Sequence, residues 1–276
     1  MPRTITYAYK HFAIALPANH MLPTYQKQHR LYDRFLPHLA KYLERGAIVI
    51  DVGANCGDSL ASMFDVNQNL NYVCIEPDDI FFEFLNHNVS QIKAFDPRAS
   101  ILTIKSLIGK TVTNATLEGS GGTKHAVPGS SQGLPTQTLD AIFANTTTAK
   151  IRLLKSDVDG YDYDVIESAR AMIQRDAPLI FFECQFDHEF QKNNYGSTLA
   201  GLESIGYAEW AVFDNFGGLV LRTDRVSHVL QLFDYVWRQN INQSTRTIYY
   251  WDVLASTRAD ASLVNRVLSD YGNVRY

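Results

Sequence analysis

The stretch Ala47-Ile48-Val49-Ile50-Asp51-Val52-Gly53-Ala54-Asn55-Cys56-Gly57-Asp58-Ser59 decides the fold. A short, continuous apolar run ends in an acid and passes into a glycine-containing turn. An apolar run without alternation is a strand buried on both faces, as parallel sheets require. The same form returns in Asn71-Tyr72-Val73-Cys74-Ile75-Glu76, in Ile101-Leu102-Thr103-Ile104, in Ile151-Arg152-Leu153-Leu154-Lys155-Ser156-Asp157 and in Leu179-Ile180-Phe181-Phe182-Glu183. Helix-length stretches separate the runs: Ser59 to Phe64, Asp79 to Asn88, Leu139 to Ala144 and Tyr163 to Gln174. This alternation predicts an α/β fold with a doubly wound, mostly parallel sheet. Four of the five runs end in an acid, namely Asp51, Glu76, Asp157 and Glu183. Ligands of such sheets bind beyond the carboxyl ends of the strands, so the chemistry is expected at that anionic edge.

Outward from this centre the chain divides into three parts. Residues 1–45 read as an N-terminal extension, with short extended pieces at Ala13 to Pro17 and Met21 to Pro23 and a lead-in helix from Tyr25 to Arg45, kinked at Pro37 and stopped by Gly46. Residues 46–225 form the ligand-binding domain. It closes with an antiparallel hairpin of Trp210 to Phe213 and Leu219 to Leu221 around Gly217-Gly218. Residues 226–276 read as a helical extension packed on the same domain, with helices at Val226 to Trp237 and Ala261 to Leu268. The Gly/Ser-rich stretches 119–122 and 128–133 read as flexible connectors, with a substrate lid as the alternative.

Composition narrows the function. The net charge of -4 shows no basic excess, so no nucleic-acid partner is expected. No apolar run approaches the roughly 18 residues of a membrane span, and the first residues lack the pattern of a secretory signal; a cytoplasmic protein is expected. Cys56, Cys74 and Cys184 are too scattered for a disulfide framework and read as small buried apolar residues.

The first turn carries only Gly53 and Gly57, so it is neither a Gly-x-Gly-x-x-Gly turn nor a phosphate-binding Gly-Lys-Ser/Thr loop. Asp51 and Asp58 flank it, which disfavours a pyrophosphate and suits a ligand with an amino group. Glu76, 25 residues after Asp51, sits where dinucleotide folds place an acid on ribose hydroxyls. Pro77 stiffens its exit, and Asp78 or Asp79 caps the next helix. Lys155 lies inside a buried strand and therefore needs a carboxylate partner. Alternation puts Lys155, Asp157 and Asp159 on related sides; an internal ion pair that only fixes the turn is the alternative.

The ordered set Val49-Ile50-Asp51-Val52-Gly53-Ala54-Asn55-Cys56-Gly57, Ile75-Glu76-Pro77, Thr138-Leu139-Asp140, Leu154-Lys155-Ser156-Asp157-Val158-Asp159-Gly160-Tyr161-Asp162 and Pro178-Leu179-Ile180-Phe181-Phe182-Glu183 resembles the FkbM-type S-adenosylmethionine-dependent methyltransferase family over about residues 46 to 223. Where that family reads Asp-Val-Glu-Gly-x-Glu, this chain has Asp159 and Asp162, which keep the charge and shorten the reach. The resemblance implies a class I methyltransferase, Rossmann-like, with a seven-stranded sheet. It also implies S-adenosylmethionine as cofactor and methyl transfer to a hydroxyl of a sugar, a polysaccharide or a secondary metabolite. Within it, Asp51, Gly53, Ala54, Asn55 and Gly57 are expected around the amino-acid end of the cofactor, Glu76 and Pro77 at the ribose, Ser106 near the adenine, and Asp157 at the site's edge.

A hydroxyl acceptor must lose its proton. The candidate bases are Asp157, Asp159, Glu183, His188 and a Lys155 of lowered proton affinity; Asp157 is favoured, with Lys155 as its electrostatic partner and Glu183 across the cleft. His188 has a surface strut as its alternative role. A divalent cation on Asp157, Asp159 and Glu183 is an alternative, not an expectation. The segment Asn19 to Pro23 is a candidate cover for the acceptor pocket, and the tail from Val226 onward a candidate homodimer contact. Two rival readings stay open: a metal-dependent glycosyltransferase using Asp157-Val158-Asp159, and a non-catalytic module that binds the same cofactor.

Overall fold

The computed structural model describes residues 3–112, 114–119, 124–129, 133–144 and 150–273. The chain opens with an antiparallel hairpin, β1 (Thr4–Ala8) and β2 (Ala13–Pro17), and two short helices, α1 (Leu22–Gln28) and α2 (Phe35–Ala40). The first strand–helix units follow: β3 (Ile48–Val52), α3 (Asp58–Val66), β4 (Asn71–Ile75), α4 (Asp79–Phe95) and β5 (Ser100–Ile104). Four short strands come next, β6 (Leu107–Ile108), β7 (Asn114–Glu118), β8 (His125–Pro128) and β9 (Leu134–Gln137), forming a separate sheet in the order β6-β9-β7-β8. The chain returns to the main sheet through α5 (Leu139–Ile142), β10 (Ile151–Ser156), α6 (Asp162–Glu167), α7 (Arg170–Asp176), β11 (Leu179–Gln185) and α8 (Glu189–Ser204). It ends with β12 (Tyr207–Asp214), β13 (Leu219–Thr223), α9 (Val226–Asn240), β14 (Tyr250–Thr257) and α10 (Ala261–Asn273).

The main sheet runs β13-β12-β14-β11-β10-β3-β4-β5. Strands β3, β4, β5, β10 and β11 are parallel to their neighbours in that set, and β14 runs antiparallel to both β11 and β12. Without the outer β13, this is the strand arrangement of the class I methyltransferase fold. All five expected parallel strands form, and every residue of β3 is buried. One core packs α2, α3, α4 and α10 on one face of the sheet, and a second packs α5 to α9 on the other. Among the described residues no helix is long and apolar enough to cross a membrane.

Three expectations change. The sheet has eight strands rather than seven, because the hairpin's second strand, β13, adds an outer edge. The helical reading of 226–276 omits β14, which lies between β11 and β12. Asp252 interrupts its apolar run, and a polar stretch precedes it, so the strand does not announce itself. The lead-in helix from Tyr25 to Arg45 is two helices: the backbone turns at Asp33, φ 53°. Pro37 falls in the first turn of α2, where a missing N–H costs nothing, so it makes no kink. Of the Gly/Ser-rich connectors, residues 120–123 and 130–132 lie outside the described residues.

The N-terminal hairpin is tied to the sheet's working edge. The buried Asn88 side chain accepts from Ala15 N at 2.8 Å and donates to the carbonyls of Ala15 at 2.8 Å and Cys56 at 2.7 Å. Tyr9 donates its hydroxyl to the Asp58 carbonyl at 3.0 Å. The extension therefore packs directly on the turn after β3. Trp251, 2% exposed, anchors β14 and donates its indole N–H to the Leu232 carbonyl at 3.1 Å. Trp251→Ala is expected to cost about 3–5 kcal/mol in urea unfolding, as large aromatic deletions in cores do; a loss below about 1 kcal/mol contradicts β14 as a core strand.

Candidate active site

Strands β3 and β10 lie side by side with Lys155 opposite Asp51. Their side chains share one face, and the Lys155 ammonium lies 2.9 Å from Asp51 Oδ1 with both residues buried. Lys155 also donates to the Gly53 carbonyl at 3.0 Å and sits 3.6 Å from Asp157 Oδ2. Burial acts to lower its proton affinity, but Asp51 and Asp157 win and hold it above the ordinary lysine value. Lys155 is therefore a fixed cation, and the base role considered for it does not hold. Gly53 has φ +72°, and a Cβ there would meet the Asp157 carbonyl oxygen at 1.9 Å. The turn after β3 and the tip of β10 are thus packed backbone to backbone, which only glycine permits.

Beyond these tips opens a cavity of about 590 Å³. On one side Glu76, 5% exposed, caps the end of β4. Its Oε2 accepts from Asn55 N at 2.9 Å and its Oε1 from Asp78 N at 2.8 Å. A carboxylate has about four lone-pair sites, so two amide bonds fix its orientation and leave acceptor capacity toward the cavity. Burial pushes its carboxyl up to about 7, against the pull of those two amides. Pro77, Phe81, Ser106, Leu107 and Ile108 continue this wall, an apolar slot beside the acid. Asp78 caps α4 by accepting from Ile80 N and Phe81 N at 3.0 and 3.1 Å, and its other oxygen holds the Lys124 ammonium at 2.5 Å.

The other side of the cavity is acidic and aromatic. Asp157, half-exposed, faces it from the tip of β10, and Asp159, with φ 52°, from the next turn. Burial and the charge of Asp157 push the Asp159 carboxyl up to about 7. Glu183 on β11 and Asp252 on β14 are direct register partners. Burial, then Asp157 and other acids, holds both carboxyls well above their ordinary values. Asp33 joins from the break between α1 and α2, pushed up to about 8 by burial and by Asp58 and Asp157. Tyr25, Tyr32, Tyr249 and Tyr250 complete this side, and His20, Met21 and Leu22 line the cavity as well, so the segment from Asn19 to Pro23 does reach it.

Of the residues singled out from sequence, Gly53, Asn55, Glu76, Pro77, Ser106, Lys155, Asp157, Asp159 and Glu183 line one cavity. Asp51 does not: it is fully buried beneath the turn, committed to Lys155. Ala54 is buried and donates to the Ile75 carbonyl, and Gly57, at φ 83°, starts α3. Both shape the turn from behind. Asp58, one residue on, faces the cavity instead. His188 lies outside it, exposed, capping α8 and stacked on Phe190. Asp162, one of the two residues that depart from the family pattern, braces the loop by accepting from Ser156 Oγ at 2.6 Å and Val158 N at 3.2 Å. The cation set Asp157, Asp159 and Glu183 does not converge. Among the described residues only His20, Cys56 and Asp58 bring three ligand atoms within 4.8 Å of one another. Burial raises the Cys56 thiol well above its ordinary value, which opposes the thiolate a metal needs. Sequence reasoning missed Asp33, Asp252, Tyr249 and Tyr250, whose approach depends on β14 and on the break after α1.

Comparison with known proteins gives a consistent picture. The methyltransferase FkbM domain model matches residues 51–209. Among solved structures, the chain is similar to methyltransferase FkbM from Methylobacillus flagellatus KT, at 15% identity and a TM-score of 0.42, over 76% of this chain and 43% of that one. The chain thus spans less than half of that relative's length. It is also similar to the SAM-dependent methyltransferase from Agrobacterium tumefaciens, at 5% identity and a TM-score of 0.49, over 93% of this chain and 71% of that one. No curated protein matches the chain.

The raised carboxyls give a signed pH dependence. Glu76, Asp159 and Asp162 at about 7 and Asp33 at about 8 take up protons in the folded state at pH values where the unfolded chain, near 4, stays ionised. The folded state then binds more protons, so stability falls as pH rises. The ligand-free protein should melt at higher temperature at pH 6 than at pH 8.5; a flat or reversed trend contradicts the acid cluster.

Proposed function

The chain belongs to the methyltransferase FkbM domain family, and on that premise we propose that it is an S-adenosylmethionine-dependent methyltransferase that transfers the methyl group to a hydroxyl of a sugar, polysaccharide or secondary-metabolite acceptor. The observation that carries the reading is Glu76: a buried acid at the end of the second parallel strand, oriented by two backbone amides and open to the cavity beside an apolar slot. A ribose diol calls for such an acceptor, and an adenine for such a slot.

We assign Glu76 to the ribose hydroxyls, the wall of Pro77, Phe81, Ser106, Leu107 and Ile108 to the adenine, and Gly53, Asn55 and Asp58 to the amino-acid end. Asp51 serves indirectly, by holding Lys155 and the turn. When bound, the cofactor supplies a methyl group on a positively charged sulfur, already activated for in-line displacement. The chain's part is alignment and dryness. Alignment is worth on the order of 7–11 kcal/mol in favourable intramolecular analogues. The α1 side of the cavity, from His20 to Tyr25, covers the acceptor and excludes water.

Asp159 is our choice for the proton acceptor. Burial and the charge of Asp157 push its carboxyl up to about 7, near working pH, where general bases act best, while Asp157 is held 3.6 Å from the Lys155 ammonium. Glu183 faces it across the cavity. No divalent cation enters this scheme.

Calorimetry with S-adenosylhomocysteine, run beside UDP-glucose, tests the reading. The nucleoside should bind and the nucleotide sugar should not. Glu76→Ala should weaken nucleoside binding by about 2 kcal/mol, roughly 30-fold, as loss of hydrogen bonds to a charged group does. Undetectable binding by folded protein, or preference for UDP-glucose, overturns it.

A further inference from the structure

We propose that the acceptor carries a protonated amine, and that Glu183 and Asp252 receive it; the proposal rests on the transferase reading above and names its substrate class. Among the described residues the cavity is lined by seven carboxylates, Asp33, Asp58, Glu76, Asp157, Asp159, Glu183 and Asp252. Only two ammonium groups among the described residues line it, and both are committed. Lys155 is bound to Asp51, and Lys124 to Asp78 at the far side of the apolar slot. S-adenosylmethionine carries one net positive charge, which the nucleoside side of the cavity meets. Of the acids on the acceptor side, Asp157 has the Lys155 ammonium 3.6 Å away, and Glu183 and Asp252 have no cation in an ion pair among the described residues.

Glu183 and Asp252 are the centre of this excess. They stand directly opposite on adjacent antiparallel strands, where two ionised acids would repel, and burial with the neighbouring acids holds both carboxyls well above their ordinary values. Glu183 is 7% exposed, and its Oε1 is buried without a hydrogen-bond partner. Neither acid is in an ion pair among the described residues. A fold that only needed stability would pair or replace them. An alkylammonium supplies what is missing, with three N–H donors and a positive charge. A bare metal ion suits the place less, because these acids do not gather three ligand atoms within 4.8 Å. An ammonium on a larger scaffold needs no such convergence. Tyr249 and Tyr250 stand at the same end of the cavity, and Tyr32 faces it from the N-terminal side. Aromatic faces add cation–π attraction, larger where water is excluded. The substrate class is therefore an amino sugar or another amino alcohol, its hydroxyl toward the Asp157–Asp159 tip and its amine toward β11 and β14.

The test uses the full chain saturated with S-adenosylhomocysteine, at pH 7.5 and low salt, and three matched pairs of probes: glucosamine and glucose, tyramine and tyrosol, ethanolamine and ethylene glycol. Ligand-observed NMR or calorimetry reads each affinity. The amine should bind at least tenfold tighter than its neutral partner in two or more pairs. In the combined Glu183→Gln and Asp252→Asn variant the preference should shrink to within twofold, while affinity for S-adenosylhomocysteine stays unchanged. Replacing two buried, opposed acids by neutral amides should leave the melting temperature unchanged or raise it, so loss of preference by unfolding is distinguished. Equal binding within the pairs, no binding of any amine, or a preference that survives the double substitution overturns the proposal. Failure of S-adenosylhomocysteine to bind is a different result, and sinks the transferase reading itself.

Discussion

The site depends on one buried ion pair. Lys155 and Asp51 face each other from neighbouring parallel strands, and each lies where a lone charge would be prohibitively costly. Their attraction is not free stability, since desolvation offsets much of it. Its consequence is geometric. The ammonium also grips the Gly53 carbonyl, so the strand, its acid and the turn above it hold one position. Gly53 then lets the tip of β10 press onto that turn. Every cavity residue on the turn after β3 or the tip of β10 takes its place from this contact.

Around that fixed point the protein tolerates local disadvantage. Acids are concentrated at strand tips, several are buried, and two oppose each other across strands. Sites that break the rules of a stable sheet are where function is concentrated. The β4 side of the cavity shows the milder form, with Glu76 satisfied by two amides and still reaching the cavity. The β11–β14 side shows the stronger form, with Glu183 Oε1 unsatisfied. The N-terminal hairpin and α1 are not an appendage to this arrangement. Asn88 and Tyr9 hold the hairpin over the same turn and α1 follows it in the chain, so the cavity wall from His20 to Tyr25 is built from chain far from the motif.

Much of this was legible in the sequence for a physical reason. A parallel strand buried on both faces must be continuously apolar, so five strands and the acids that end four of them, Glu76 included, could be read directly. What escaped depends on register and long-range pairing. The motif acid Asp51 reads as a ligand contact until the strand register shows it beneath the turn, opposite Lys155. Asp252 lies in a strand whose apolar run it interrupts, and its neighbour is Glu183 only because β14 inserts between β11 and β12. Asp33 comes close only through a backbone reversal that breaks a continuous helical pattern. His188 follows Glu183 closely in sequence, but the chain has already turned into α8, where His188 is the N-cap residue and its backbone N–H donates to Gln191 Oε1 at 2.8 Å.

A double-mutant cycle on Lys155 and Asp51, read by urea unfolding and by S-adenosylhomocysteine affinity, tests the central claim most directly. Lys155→Met alone should cost about 3–5 kcal/mol, because it strands a buried carboxylate, and adding Asp51→Leu should return at least about 2 kcal/mol of that. Nucleoside affinity should fall in the single variant. Strictly additive losses with affinity unchanged would contradict the claim that this pair holds the site together.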